Sequence, residues 1–460
     1  MSFSRRGFLA AGAAGLAFTG LARQVRAQAA ESYRNEIEGY GPLLRDPHGV
    51  FDLPEGFEYR IISQAGETMA DGLRVPGRFD GMGCFPARRR FGLSSSQVVL
   101  VRNHELDKND PDDGPCGIGH HLIDRLDVSK AYDFAGDRPL NGGTTTLVYD
   151  LAERRTVRQH LSLTGTYNNC AGGVTPWGSW LSCEETEIRA GDGVGKDHGW
   201  IFEVPAHGRG LVEPRPLRAM GRFEHEAACV DPATGVVYLT EDKDDSLFYR
   251  FLPNRPGRLH DGGRLQALAV RGAPGADLRN WNGQVGWRLN DWLDVHWIDL
   301  DDVESPNGDL RLRGHAAGAA LFARGEGLTW GAGELYFTAT SGGPGQLGQI
   351  IRHVPGPDGG RIQLFIESGD DQVYDYGDNL TVAPWGHLLV CEDRYSSEIN
   401  HLRGVTPEGR VYTLARNVFE GNQELAGACF SPDGSTLFVN IYRPGLTLAI
   451  TGPWTRFRNS

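Results

Sequence analysis

The sequence predicts an all-β fold, a six-bladed β-propeller with loop insertions. Three observations carry the prediction: a strand–turn–strand pattern that recurs six times, turn chemistry at the tips of the hairpins, and 63 glycines in 460 residues without any long helical pattern. The plainest echo pairs residues 174–185 (VTPWGSWLSCEE) with residues 382–393 (VAPWGHLLVCED). Looser copies run over 226–242, 326–340 and 424–440, and a degenerate sixth runs from Gly81 to Glu105. A β-sandwich also presents its strands as hairpins and is the rival fold.

From the N-terminus onward, the first 29 residues read as an export signal outside the fold. Ser4-Arg5-Arg6-Gly7-Phe8-Leu9 precedes an Ala/Gly-rich apolar stretch and then Ala27-Gln28-Ala29. Paired arginines, a mild apolar region and a small-x-small site describe a twin-arginine signal, so the twin-arginine export machinery is an expected partner and the periplasm or beyond the expected location. Residues 30–460 are expected to form a single propeller domain. No apolar run past the signal is long enough to span a bilayer. Loss of the signal removes four arginines and no acid, taking the net charge of −13 four units further negative. That acidity excludes non-specific binding to nucleic acid or anionic membrane.

The repeats follow. In 231–235 (DPATG) and 431–434 (SPDG) a glycine supplies the positive φ that a tight turn needs, and the flanking strands are short and apolar. The longer gaps, 106–142 and 253–323, are expected to be insertions on the loops. Seven cysteines show no tight pair spacing, and their odd number leaves at least one free thiol in an exported chain. Cys183, Cys229, Cys391 and Cys429 lie in apolar runs as small buried hydrophobes. Cys170 lies in a polar turn, Tyr167-Asn168-Asn169-Cys170, where a thiol suits a ligand or a nucleophile.

Hairpin geometry turns the repeat into chemistry. The start of a first strand and the end of its partner share one end of an antiparallel hairpin. Acids, amides and one thiol stand at those positions: Asn103 and Glu105; Asn169, Cys170, Glu184 and Glu185; Glu226, Glu241 and Asp242; Glu326; Asp378, Asn379, Glu392 and Asp393; Glu424 and Asn440. If these hairpins are the inner strands of blades, their end groups converge on one mouth of the central channel. Two unit charges 4 Å apart repel by about 4 kcal/mol at an effective dielectric near 20, so such a ring calls for protons or cations. Oxygen ligands suit Ca²⁺, Mg²⁺ or ferric iron, and the Cys170 thiolate tilts one position towards a transition metal.

At the runs 103–105 (NHE), 168–178 (NNCAGGVTPWG), 183–185 (CEE), 225–228 (HEAA), 324–327 (RGEG) and 430–434 (FSPDG) the chain resembles the PhoX-type alkaline phosphatases. The resemblance spans residues 50 to 450 and implies a metal-dependent hydrolase of phosphate monoesters. In that family, iron (Fe³⁺) and calcium (Ca²⁺) ions at the channel mouth activate an oxide or hydroxide nucleophile. Carried onto this sequence, it implies that Cys170, Glu226 and Glu326 bind iron, that Glu185 binds calcium, and that Asn103 and Arg324 touch the substrate phosphate. Glu105, Glu241, Asp378 and Glu392 are further candidate ligands, placed by the hairpin pattern. Two alternatives stay open: a calcium-dependent propeller lactonase or esterase with His104 or His225 as base, and a non-catalytic metal-binding propeller scaffold.

Overall fold

The structure is a computed structural model that describes residues 31–110, 112–283, 286–394, 399–421 and 423–457. The expected twin-arginine signal lies outside the described residues. The compact unit begins at Asn35.

Six innermost strands surround a central channel: Phe79–Pro86, Asn169–Val174, His225–Val230, Gly325–Gly331, Gly377–Val382 and Leu425–Phe430. We number their blades I to VI. Each inner strand packs against the next, and the sixth packs back on the first, so the ring is closed. The approach is backbone to backbone. A Cβ on Gly81 would lie 2.5 Å from the Ala171 Cα, one on Gly327 2.6 Å from the Asp378 carbonyl, and one on Gly427 2.5 Å from the Asp80 carbonyl. Glycine at these seams is a packing requirement.

Within a blade the strands run outward as antiparallel neighbours. Blade I continues through Gln97–His104, Gly142–Asp150 and Arg155–Thr166, while blade II has only Ser179–Glu184 and Ile201–Pro205 outside its inner strand. Blade VI is completed from the other end of the chain. Its Leu446–Thr451 strand pairs with Glu58–Gln64, which locks the ring by joining its first and last segments. Blade V likewise gains Phe51–Pro54 at its outer edge, through Phe51–Asn417 and Asp52–Arg416 pairing.

Hydrogen bonding does not keep the six blades as six sheets. Blades III and IV share one nine-stranded sheet. The cause lies between residues 253 and 323, which the sequence suggested was loop. This stretch holds Gly263–Val270, Trp292–Asp299 and the helix Leu310–Ala316. Trp292–Asp299 pairs on one side with Gly263–Val270 and on the other with Arg361–Glu367, bridging the two blades. Residues 106–142 contain short 3₁₀ turns and one small hairpin, Phe134–Ala135 with Arg138–Pro139.

The core lies between blades, where strand faces meet. Leu389, Leu402, Leu414, Leu437, Val439, Leu448 and Ile450 pack together between blades V and VI. Blades III and IV close over stacked Phe248 and Phe337, with ring centroids 4.3 Å apart. Each such aliphatic or aromatic side chain contributes roughly 1.5–3 kcal/mol on burial. This packing leaves the inner strand ends rigid.

Candidate metal centre at the channel mouth

All six inner strands carry the same irregularity. Register slips by one residue between Phe79 and Met82, Asn169 and Gly172, His225 and Ala228, Gly325 and Leu328, Gly377 and Leu380, and Ala426 and Cys429. A β-bulge of this kind re-aims a side chain that regular pleating would send elsewhere. In five blades the first bulged residue is a potential ligand: Asp80, Cys170, Glu226, Glu326 and Asp378. In the sixth it is Gly427. The second bulged residue is small in five blades (Gly81, Ala171, Ala227, Gly327, Ala428) and lines the opposite, apolar half of the channel.

The bulges are clamped across blade boundaries by the second strands. Asn103 Nδ2 donates to the Cys170 and Ala171 carbonyls at 2.9 and 2.6 Å. The Thr240 hydroxyl donates to the Glu326 carbonyl at 2.5 Å, the Thr338 hydroxyl to the Asp378 carbonyl at 2.7 Å, and Asn440 Nδ2 to the Asp80 carbonyl at 2.6 Å. Four of the five ligand-bearing peptides, those of Asp80, Cys170, Glu326 and Asp378, are thus held by a neighbouring blade.

Above the bulges lies a cavity of about 510 Å³ lined by Asp80, Glu105, Cys170, Glu185, Arg324, Glu326, Asp378, Asp393, Arg394, Glu424 and Tyr442. Two trios of donor atoms converge, each within 4.8 Å: Glu105, Cys170 and Glu185, and then Glu226, Glu326 and Asp378. The Cys170 thiol also lies 3.5 Å from Asp80 Oδ2. Glu226 is fully buried, and among the described residues neither of its carboxylate oxygens has a hydrogen-bond partner; Asp80 Oδ1 is in the same condition. Buried polar atoms are nearly always satisfied, so two orphaned oxygens on Glu226 in one trio and one on Asp80 beside Cys170 of the other ask for a ligand. Carboxylates with one thiol form a donor set that fits hard cations and iron.

Burial, reinforced by neighbouring negative charge, pushes every central carboxyl up. Glu226 is raised well above its ordinary value by burial and then by Glu326 and Asp378. Glu185 is raised by burial and by Asp242 and Glu105, and Asp80 by burial and by Glu105 and Asp378. Asp378 is pushed up to about 8 by burial and Asp393. Glu326 is raised by burial and Asp242 in spite of Arg324. Burial and the surrounding acids also push the Cys170 thiol up. A cluster in this state either keeps its protons or gives them up to cations.

The structure brings together six of the sequence-predicted ligands: Cys170, Glu226, Glu326, Glu185, Glu105 and Asp378. They form two trios, with Cys170 in one and Glu226 and Glu326 in the other. Arg324 stands at the rim, its backbone in the left-handed region at φ 53°. Its guanidinium donates to both Asp242 oxygens at 2.8 and 3.0 Å and to Glu326 Oε1 at 2.8 Å.

Three predicted residues lie elsewhere. Glu241 is a correction: its Oε2 accepts from the Tyr249 hydroxyl at 2.7 Å within blade III, and burial pushes it up to about 8. Glu392 is a second correction. It accepts from Arg403 Nε at 2.6 Å and from the His401 backbone and ring at 2.9 and 2.8 Å. Burial pushes Glu392 up, but Arg403 and His401 more than offset it and hold the carboxyl below its usual range. The cause in both cases is the two-residue period of a strand: the last strand residue points into the blade, and the next one turns into the cavity. The residues that follow, in register with Glu105 and Glu185, are Asp393, which lines the cavity, and Asp242, which holds the Arg324 guanidinium at the rim. Asn103 is the third correction. It is fully buried, and its Oδ1 accepts from Trp180 Nε1 and Ser182 Oγ, both at 2.9 Å, so it holds the Cys170 bulge and does not reach the cavity. His104 and His225 are likewise occupied, by the Gly77 and Gly221 carbonyls, and lie outside the cavity lining.

The Glu392 pair predicts a separable effect. Arg403→Met leaves an ionised carboxylate buried without its cation and is expected to cost about 3–5 kcal/mol. Urea unfolding should register that loss, while kcat per folded molecule stays unchanged.

Sequence reasoning missed Asp80 and Tyr442, and of the adjacent pairs Glu241-Asp242 and Glu392-Asp393 it took the first member of each as the ligand. The signal for Asp80 was present: Phe79-Asp80-Gly81 repeats the aromatic-acid-small order of His225-Glu226-Ala227.

Comparison with known proteins places these features in context. The family model "Alkaline phosphatase PhoX" matches residues 38–149 and 138–445. Among solved structures, Pseudomonas fluorescens PhoX in complex with vanadate, a transition state analogue, is similar over 92% of this chain and 98% of its own, at 18% identity and TM-score 0.67. A gluconolactonase from Xanthomonas campestris is similar over 90% and 98%, at 14% identity and TM-score 0.40. Comparison with curated protein sequences finds no match.

Proposed function

This chain belongs to the PhoX family of alkaline phosphatases, and from that premise we propose that it hydrolyses phosphate monoesters at the acidic channel mouth with iron and calcium bound there. One observation carries the metal reading: the two unpartnered oxygens of Glu226, buried where Glu326 and Asp378 converge. Cys170 in one trio and Glu226 and Glu326 in the other are the proposed iron ligands, so iron would be bound at both trios, with Glu185, Glu105 and Asp378 the proposed oxygen donors to calcium beside them. Asp80 stands between the two trios. Bound ions of this kind would screen the phosphate oxygens and lower the pKa of an attacking water.

The residues of the chain supply binding and orientation. Arg324 faces the cavity with its guanidinium edge fixed on Asp242, so it can meet a phosphate without first losing side-chain freedom. Its charge works against the surrounding acids, which would otherwise repel an anionic substrate. The lactonase reading with His104 or His225 as base is not supported, since among the described residues no histidine lines the cavity. Export by the twin-arginine route, to the periplasm or beyond, is supported by Arg5-Arg6 and the apolar stretch after them.

Turnover of a simple aryl phosphate before and after chelation tests the proposal. Activity should disappear with the ions and return with iron and calcium; undiminished turnover by a chelated protein would sink it. Arg324→Lys keeps the charge and loses the planar fork. It is expected to raise KM for the phosphate ester about tenfold, with metal content unchanged by elemental analysis.

A further inference from the structure

Arg102 is buried between blades I and VI with its guanidinium carbon 3.4 Å from the centroid of the Phe79 ring. Among the described residues no carboxylate pairs with it. A buried cation without a counter-ion is costly to keep, and the phosphatase reading gives it no task. Its hydrogen bonds show what it holds. Nη1 donates to Thr447 Oγ1 at 2.6 Å and Nη2 to Thr145 Oγ1 at 3.1 Å.

The direction of the chain that follows is fixed. Guanidinium only donates, so Thr447 accepts from Arg102 and has one proton left to give. That proton goes to Asn440 Oδ1 at 2.7 Å. With Oδ1 so occupied, Nδ2 faces the Asp80 carbonyl and donates to it at 2.6 Å. The other branch agrees. His104 Nδ1 faces the Gly77 carbonyl at 2.9 Å and must donate, which leaves Nε2 to accept from the Thr145 hydroxyl at 2.8 Å. Thr145 is then free to accept from Arg102. No amide flip or tautomer change satisfies the same set of partners.

Asp80 is the bulge residue of blade I, with Oδ2 3.5 Å from the Cys170 sulfur and Oδ1 unpartnered. Fixing the carbonyl of a residue fixes its peptide plane and so limits the direction of its Cα–Cβ bond. We propose that the Arg102–Thr447–Asn440 relay is a positioning device that aims the Asp80 carboxylate into the metal cradle beside Cys170. The claim rests on the metal reading above and adds to it a named ligand and the hydrogen-bonded chain that orients it. Outer partners of this kind are worth 10–100-fold in metal affinity where they have been altered in other metal sites.

The test uses Thr447→Val, which keeps the β-branched shape and removes the relaying hydroxyl, with Thr447→Ser as the conservative control. Each protein, loaded with iron and calcium, is dialysed against a graded chelator series, and the retained metal is measured by elemental analysis. Melting temperature is recorded with and without metal. We expect T447V to lose one class of ion at a chelator concentration about tenfold lower than the parent. T447S should match the parent in both states, and T447V should melt below the parent by a wider margin loaded than chelated, since only the unpaired Arg102 and Asn440 groups weigh on the chelated form. Equal metal retention by T447V and parent would overturn the proposal. So would a T447V protein destabilised equally with and without metal, or one that does not fold, since the relay would then serve the blade seam alone. A parent that retains no iron or calcium would defeat the underlying metal reading, an outcome distinct from parity between variant and parent.

Discussion

Chelated protein should lose stability as pH rises from about 5 to 9, while the metal-loaded protein should lose it as pH falls. The sign follows from the central carboxyls. Asp378 has an ordinary value of 3.8 and is pushed up to about 8, Asp393 is pushed up to about 6, and Glu226, Glu326, Glu185 and Asp80 are raised well beyond theirs. A carboxyl raised on folding is protonated in the folded chain while it is already ionised in the unfolded one. The folded state then binds more protons, and stability declines with pH from the unfolded value near 4 up through the folded value. Holding Asp378 ionised at pH 9 costs on the order of 5 kcal/mol, a large part of the 5–15 kcal/mol that a typical protein possesses. Cations reverse the sign, because they bind the ionised ligands and compete with protons for them. Glu392 sets the lower limit of the chelated curve. Arg403 and His401 hold it below its usual range, so the stability of that pair disappears at strongly acidic pH. Thermal unfolding at a series of pH values, with and without chelator, measures both slopes. Parallel curves would mean that the acids at the mouth titrate independently of any bound ion.

How much of this was legible in sequence depends on which physical signal each residue left. The repeat was legible because the Pro-Trp-Gly turns and the Cys-Glu-Glu and Cys-Glu-Asp strand ends recur in order, and the propeller follows from it. The fusion of blades III and IV was not, because Trp292–Asp299 follows its partner Gly263–Val270 only after a long connection and its bridging partner, Arg361–Glu367, lies far along the chain. The strand Glu58–Gln64 escaped for the same reason, since the strand it pairs with, Leu446–Thr451, is some 380 residues away. Ligands that begin a first strand were found where the repeat is plain, at Cys170, Glu226, Glu326 and Asp378, and Asp80 was missed in the degenerate first copy. At the other end, Glu241 and Glu392 were preferred over Asp242 and Asp393 because a pair of adjacent acids does not say which one faces inward. Register decides that, and a single residue reverses the face. Asn103 shows a subtler limit. An amide at the end of a strand is equally suited to a phosphate and to a carbonyl, and only the closeness of the Cys170 and Ala171 peptides shows which it meets.

Glu226→Gln should separate stability from activity more sharply than any other single change. The two side chains are nearly isosteric, so packing is retained, and only the charge and one oxygen are lost. In chelated protein at pH 8 the substitution relieves a buried carboxyl that burial, Glu326 and Asp378 all resist ionising. It should therefore raise stability by about 1–3 kcal/mol, the scale of an unpaired buried polar group. In loaded protein the same change removes the donor at the centre of the Glu226, Glu326 and Asp378 trio. Ion affinity should fall by at least about 100-fold, and phosphatase turnover with it. A residue that weakens the bare fold and is retained for the reaction is the pattern of a stability–activity trade-off. The measurement is a pair of melting curves, chelated and loaded, beside kcat with a phosphate ester. A variant that melts lower in both states would make Glu226 an ordinary core residue. A variant that melts higher in both and keeps its turnover would show that no ion rests on it.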